Sequence, residues 1–386
     1  MQSKHRFHAM LVALLAALLL TTVAGAAPKG GASVDLSVEQ GAFDSLQEVF
    51  VTVKISNPTN QPIKVLKWFT PVAGVEEPLF AVTRDGQPVE YIGPLYKRPA
   101  ATEKDYISLN SGESISSTVN LGEYYDLSVS GQYEIAYAVA SFHLYNEKGN
   151  ALKSKEVLTS EKVSVGIDAR FKSTATPRPA TATPPAVTAT PGSGGGKRTP
   201  TPGGTNPTAT PTAGGGGGIG FTSCNTTQQN TLTTAHVNAQ TYASSSENYL
   251  YGISSGTSRY TEWFGAFTTS RFNLVKAHFT SISNAFDTAP VVYDCSCTQS
   301  YYAYVYPNQP YKIYLCNAFW TAPMTGTDSK AGTLIHEMSH FTIVADTDDF
   351  VYGQTAARNL AISNPDNAVR NADNHEYFAE NTPTLP

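Results

Sequence analysis

The chain has 386 residues, 41 % of them apolar and 15 % charged. That is room for two domains with real cores, which excludes a single small module. A net charge of −5, from 26 basic and 31 acidic side chains, leaves no basic field for phosphate contacts, so nucleic-acid binding is excluded.

Residues 1–26 read as an export signal. Lys4 and Arg6, with His5 and His8, form the positive start, Ala9 to Leu20 the apolar stretch, and Ala24-Gly25-Ala26 the small residues before a cut that leaves Ala27 first. The alternative, an uncleaved anchor, has too short an apolar run, since a spanning helix needs about 20 residues. The mature protein is therefore expected outside the cell, off the membrane and monomeric. In that compartment an even number of cysteines implies disulfides. Cys295 and Cys297 are too close to prefer each other, so one is expected to reach back to Cys224 and the other forward to Cys316.

Residues 27–172 are expected to form an all-β, Ig-like sandwich. Val49, Val51, Val53 and Ile55 alternate with Phe50, Thr52, Lys54 and Ser56, and Tyr133, Ile135, Tyr137 and Val139 repeat that period. Turn signals at Asn57-Pro58, Asp85-Gly86 and Ser111-Gly112 separate such runs. No cluster of His, Cys or acidic residues in it suggests chemistry. Residues 173–218 repeat Ala-Thr-Pro and run to glycine at Gly214 to Gly218, the composition of a disordered tether.

The second domain, 219–386, is expected to be mainly α with some strands. Leu232, His236, Ala239 and Tyr242 fall near helical spacing, and Phe272 to Phe286 continue it. Tyr301 to Leu315 alternate like strands, broken by Pro307 and Pro310. Thr333 to Ala345 return to a helix with Leu334, Met338, Phe341 and Ala345 on its core face and His336 and His340 turned away.

That helix carries His336-Glu337-Met338-Ser339-His340. Residues four apart share a face, so both imidazoles reach one metal ion, with Glu337 placed to take a proton from a water. Two surface histidines on a helix are the bland alternative. A catalytic zinc needs a third protein ligand. Spacing leaves Asp346, Asp348 and Asp349 open, as well as Glu376 and Glu380 on a final helix expected to begin at Pro365.

The run HEMSHFTIVADTDDFVYGQTAARNLA, with NADNHEYFAENTP downstream, resembles the aspzincin or deuterolysin metalloendopeptidases, and among them the peptidyl-Lys metalloendopeptidases. The segments TSRYTEWFGAF and YAYVYPNQPYKIYLC extend the likeness over most of 219–386. The resemblance implies a zincin-type fold and one Zn²⁺ held by His336, His340 and Asp349. It also implies Glu337 as general base and Tyr352 as donor to the oxyanion. Asp346 departs from the family pattern, which usually has glycine there.

The resemblance further implies that Asp373 and Glu376, one helical turn apart, receive a substrate lysine. The expected activity is cleavage of proteins or peptides on the N-terminal side of lysine. The alternatives are a broader deuterolysin-like neutral protease and an inactive secreted binding protein. Lysine is sparse in the second domain (Lys276, Lys312 and Lys330) against eleven in 27–172, and Lys197 in the tether is an expected maturation site. Residues 27–172 are expected to be either a propeptide or a retained binding module.

Overall fold

The computed structural model describes residues 31–72, 74–139, 144–146, 158–169 and 218–386. The expected export signal, Lys197 and nearly all of the Pro/Gly-rich tether lie outside them.

The period-2 pattern of the first half builds β-structure as expected. Strand Phe50–Ser56 pairs antiparallel with Ser33–Val38 on one side and Ser114–Asn120 on the other. A second sheet runs in the order Ala42–Phe43, Val163–Ile167, Gly131–Val139, Phe80–Arg84, Gln87–Pro88. A third joins Leu144–Asn146, Ile63–Leu66 and Tyr106–Leu109. Val51, Val53 and Ile55 meet Tyr133, Ile135 and Tyr137 in one buried cluster. The buried Tyr137 hydroxyl donates to the Phe69 carbonyl and that of Tyr125 to Phe80, so these large rings bury area without an orphaned polar tip.

The second half is helical around a small sheet. Its helices are α1 (Thr226–Gly252), α2 (Ser258–Phe264), α3 (Thr269–Thr288), α4 (Asn317–Thr321), α5 (Lys330–His340), α6 (Gln354–Ser363), α7 (Pro365–Ala368) and α8 (Ala372–Glu380). Strands Gly220–Thr222, Val292–Asp294 and Lys312–Leu315 are parallel neighbours, and Ala303–Val305 adds antiparallel to the last. The fifth strand comes from the first half: Leu95–Lys97 pairs antiparallel with Ala303–Val305, placing Lys97 opposite Ala303. Cys224 is bonded to Cys295 and Cys297 to Cys316, tying the sheet's loops to the starts of α1 and α4.

Two expectations about helix ends are corrected. The HExxH helix stops at His340 instead of running to Ala345. Apolar spacing continues through Phe341, Val344 and Ala345, but the backbone turns there, with the Val344 and Ala345 amides both bonding the Phe341 carbonyl. Asp346 then adopts φ 50°, the left-handed conformation that glycine tolerates best. The final helix likewise does not start at Pro365. It is split into α7 and α8, because Asn371 leaves the helix to accept the Phe350 and Val351 amides on its side-chain oxygen.

α5 is the central helix, with every one of its residues buried. Ser329 caps it by accepting from the Gly332 amide, and Glu380 of α8 accepts in turn from the Ser329 amide and hydroxyl, at 2.8 Å each. The helices meet at Gly332, where a Cβ would lie 2.1 Å from Glu380 Oε1. Since that oxygen is already bonded, it has little freedom to move. Gly332→Ala is therefore expected to destabilise by about 1–3 kcal/mol although alanine is the better helix former, a loss visible in thermal unfolding. An unchanged midpoint would refute the close approach.

Behind α5 lies a buried histidine pair. His375 Nδ1 donates to the Asn371 carbonyl at 3.0 Å, leaving Nε2 to accept from His278 Nδ1 at 3.0 Å. Burial lowers both, His278 to about 4 and His375 to about 3. Below pH 6.5 the unfolded chain protonates both rings while the folded one does not. The stability they provide is full above that pH and falls as pH drops toward 4, by about 1.4 kcal/mol per pH unit for each ring once the unfolded ring is protonated. Denaturation between pH 4 and 7 should show a shallower slope for His278→Gln, and equal slopes would count against the neutral pair.

Candidate functional site

The turn after α5 brings the following loop back onto the histidines. Thr347 is fixed twice: its hydroxyl meets Ser339 Oγ at 2.6 Å and its carbonyl accepts from His340 Nδ1 at 2.7 Å. Asp349 thereby sits against both rings, its Oδ1 3.2 Å from His336 Nε2 and its Oδ2 3.2 Å from His340 Nε2. All three side chains are buried. The sequence expectation that the imidazoles turn away from a core is corrected here, because α8 and this loop cover their face.

These three residues fit a metal ion. His336 Nδ1 lies 2.8 Å from Asp373 Oδ1 and His340 Nδ1 is committed to Thr347, so in neutral rings both Nε2 atoms carry lone pairs. Those atoms face each other at 3.1 Å, and neither oxygen of Asp349 has a hydrogen-bond partner. Converging lone pairs beside a carboxylate require a cation, and two imidazoles with one carboxylate suit zinc. Glu337 is buried beside them with both oxygens unpartnered, and burial pushes its carboxyl up to about 7.

Among the described residues, the group that joins both histidines contains Asp349 and none of the other candidates. Asp346 is exposed. Asp348 bridges to Asn371 through its backbone, with Ala372 N donating to its carbonyl. Glu380 caps α5, and Glu376 faces away from the Nε2 atoms, 3.5 Å from His336 Nδ1.

Asp373 and Glu376 do converge on one ammonium, that of Lys97 from the first domain. Its Nζ is 3.0 Å from Asp373 Oδ1, 2.6 Å from Glu376 Oε2 and 3.8 Å from Asp328 Oδ1. The rings of Tyr302 and Tyr377 flank it at 5.4 and 5.6 Å. Burial by itself lowers the Lys97 pKa, but Asp373, Glu376 and Asp328 outweigh it and hold the amine charged well above its usual value. Tyr377 also donates to Asp328 Oδ1 at 2.6 Å, orienting that third carboxylate.

Tyr352 is buried in the first domain's core cluster, edge-on to Trp68. Its hydroxyl donates to Glu77 Oε1 at 2.6 Å and accepts from Arg98 Nη1 at 2.7 Å, and Arg98 and Glu77 also pair directly. The first half thus brings Lys97, Arg98 and Glu77 to the site, although its sequence shows no cluster of His, Cys or acidic residues that suggests chemistry. Lys97, Arg98 and Glu77 are scattered along a β-domain with no motif spacing, and only the adjacent pairs Glu76-Glu77 and Lys97-Arg98 hinted at them. Asp328, Tyr302 and Tyr377 lie in the second half, Tyr302 and Tyr377 within the runs that carry the family resemblance, but nothing in their spacing singles them out.

The aspzincin family model, described as lysine-specific metallo-endopeptidase, matches residues 249–380. An extracellular protease of Aeromonas hydrophila is 40 % identical over 379 residues, 97 % of this chain and 99 % of that one. A peptidyl-Lys metalloendopeptidase of Grifola frondosa is 33 % identical over 391 residues, covering 98 % and 99 % of the two chains. A second, from Pleurotus ostreatus, is 53 % identical over 167 residues, 43 % of this chain and 98 % of its own. The solved structure of a zinc peptidase from Grifola frondosa is 50 % identical over 42 % of this chain and all of that one, with a TM-score of 0.41. With two relatives matched over almost their whole length and a buried His-His-Asp cluster fit for a metal, the chain belongs to the aspzincin family of zinc metalloendopeptidases.

Proposed function

We propose that this chain is an exported endopeptidase selective for lysine on the C-terminal side of the cut bond. The observation that carries the proposal is the Lys97 ammonium held by Asp373 and Glu376 beside the metal cluster. A buried carboxylate pair is costly unless a cation completes it, so such a pocket rejects an uncharged side chain of the same length. The proposed division is an export signal over 1–26, a β-domain over 27–172, a tether over 173–218 and a catalytic domain over 219–386.

In this reading His336, His340 and Asp349 hold one zinc ion. Zinc there would lower the pKa of a water towards about 7 and polarise the scissile carbonyl. Glu337, unpaired and with a carboxyl raised by burial, takes the proton of the attacking water and returns it to the leaving amine. Tyr352 donates its hydroxyl to the oxygen on which charge develops, once that hydroxyl is free of Glu77. Asp373 orients His336 through Nδ1 while receiving the lysine ammonium, so one carboxylate serves the metal ligand and the substrate together.

The full chain, activated by a protease that cuts in 173–218, would be offered a long peptide with one lysine, one arginine and several apolar sites. Every fragment end would be identified by mass. Cutting only before lysine, abolished by a zinc chelator and restored by zinc, is expected, whereas chelator-sensitive cutting at many sites would leave the metal site and remove the lysine pocket. Glu337→Gln should lower kcat by about 10²–10⁴-fold. Glu376→Gln should lower kcat/KM at lysine by about 100-fold or more, through loss of a buried charge partner, while a norleucine site changes little. Equal losses at both sites would assign Glu376 a merely structural part.

A further inference from the structure

We infer that Asp328 is a third specificity-determining carboxylate for lysine, acting from the mouth of the pocket, and that Tyr377 is the residue that positions it. This rests on reading Asp373 and Glu376 as the lysine pocket. Three observations carry it.

The first is where the carboxylate stands. Lys97 Nζ marks the place of an ammonium between Asp373 and Glu376, at 3.0 and 2.6 Å from their oxygens. Asp328 Oδ1 is 3.8 Å from the same nitrogen, beyond hydrogen-bond length but within range of a charge contact. An ammonium has three N–H donors and the inner pair takes two, so a third negative group has a use there. The second is contact with solvent. The side chains of Asp373 and Glu376 are fully buried, whereas that of Asp328 is 40 % exposed. Of the three, Asp328 is the carboxylate that an incoming cation meets first, and the one whose pull salt screens.

The third is fixation. Asp328 holds φ 50°, a left-handed conformation that Asp and Asn tolerate better than most side chains. Its amide donates to Glu380 Oε2 at 3.2 Å, and its Oδ1 accepts the Tyr377 hydroxyl at 2.6 Å. Burial, then Asp373, Glu376 and Asp328, push that hydroxyl well above its usual pKa, so it stays a donor. Tyr377 follows Glu376 on α8, so one helix presents both inner carboxylates and the donor that aims the outer one. An aspartate that served only the start of α5 would accept from that helix's amides. Ser329 does that instead, and Asp328 turns its carboxylate to α8 and the ammonium.

The test uses the zinc-loaded full chain cut within 173–218 and two peptides that differ only in lysine or norleucine after the cut bond. The readout is the ratio of kcat/KM for the lysine peptide to that for the norleucine peptide, since loss of fold, zinc or access lowers both alike. Asp328→Asn keeps a residue suited to the left-handed turn and removes the charge. It is expected to lower the ratio about 10-fold at about 0.02 M salt and less than about 3-fold at about 0.5 M. Glu376→Gln should lower it about 100-fold or more at both, because buried pairs are screened little. Tyr377→Phe leaves the charge of Asp328 but not its donor, and should lower the ratio about 3-fold at the lower salt. An unchanged ratio for Asp328→Asn beside a fallen one for Glu376→Gln would overturn the inference and leave the pocket. Unchanged ratios for both would overturn the pocket, and the inference with it. A loss for Asp328→Asn that salt does not diminish would overturn its place at the mouth. If Asp328→Asn does not fold, Tyr377→Phe decides, and an unchanged ratio there overturns the inference.

Discussion

The site depends on the carboxylate of Asp373. Its Oδ1 lies against His336 Nδ1 and the Lys97 ammonium, and its Oδ2 accepts the Gly353 amide at 2.6 Å. One buried side chain thus lies 2.8 Å from the Nδ1 of a metal-cluster histidine, faces a cation and pins the residue after Tyr352. Burial opposes ionisation of Asp373, yet Lys97 and His336 keep its pKa below the usual carboxylate value. Because α8 presents this carboxylate and α5 presents the histidine, the close contact of the two helices at Gly332 is part of the chemistry and not only of the packing.

The loop from Phe341 to Gly353 is held with comparable completeness. Thr347 fastens it to α5, Asn371 accepts two of its amides, and Asn374 anchors Asn371 by accepting from its side-chain amide at 2.7 Å. A third ligand on a loop is only as well placed as the loop, and metal geometry tolerates little looseness. The left-handed residue 346 is where this loop reverses, and an aspartate fills it without losing the turn. The departure from glycine therefore leaves Asp349 where the cluster needs it.

The sequence made the covalent and local features legible and left the tertiary ones hidden. His336, Glu337 and His340 are visible because a helix converts spacing into a shared face. The β-domain is visible because period-2 alternation records a half-buried sheet. Count and proximity imply that Cys295 and Cys297 bond outward to Cys224 and Cys316, but which takes which is read only from the structure, as Cys224–Cys295 and Cys297–Cys316. Asp349 could not be separated from Asp346 or Asp348 by spacing, since which carboxylate returns depends on a turn whose φ no composition reveals; resemblance to a family supplied it. The helix boundaries at His340 and Asn371 differ from the periodicity because a backbone turn onto the Phe341 carbonyl ends the first and the Asn371 side chain, accepting two loop amides, interrupts the second. Lys97, Arg98 and Glu77 leave no signal beyond two adjacent charged pairs, since a contact between the two halves leaves no period in either one.

The charge count around Asp373 and Glu376 shows why these two carboxylates cannot be buried without a cation. Asp373 and Glu376 are fully buried in this form, beside a third carboxylate at Asp328, with Lys97 as the compensating cation among them. Removing one partner from such a group leaves an uncompensated buried charge that costs several kcal/mol, so the pocket must be refilled by a cation or opened to water.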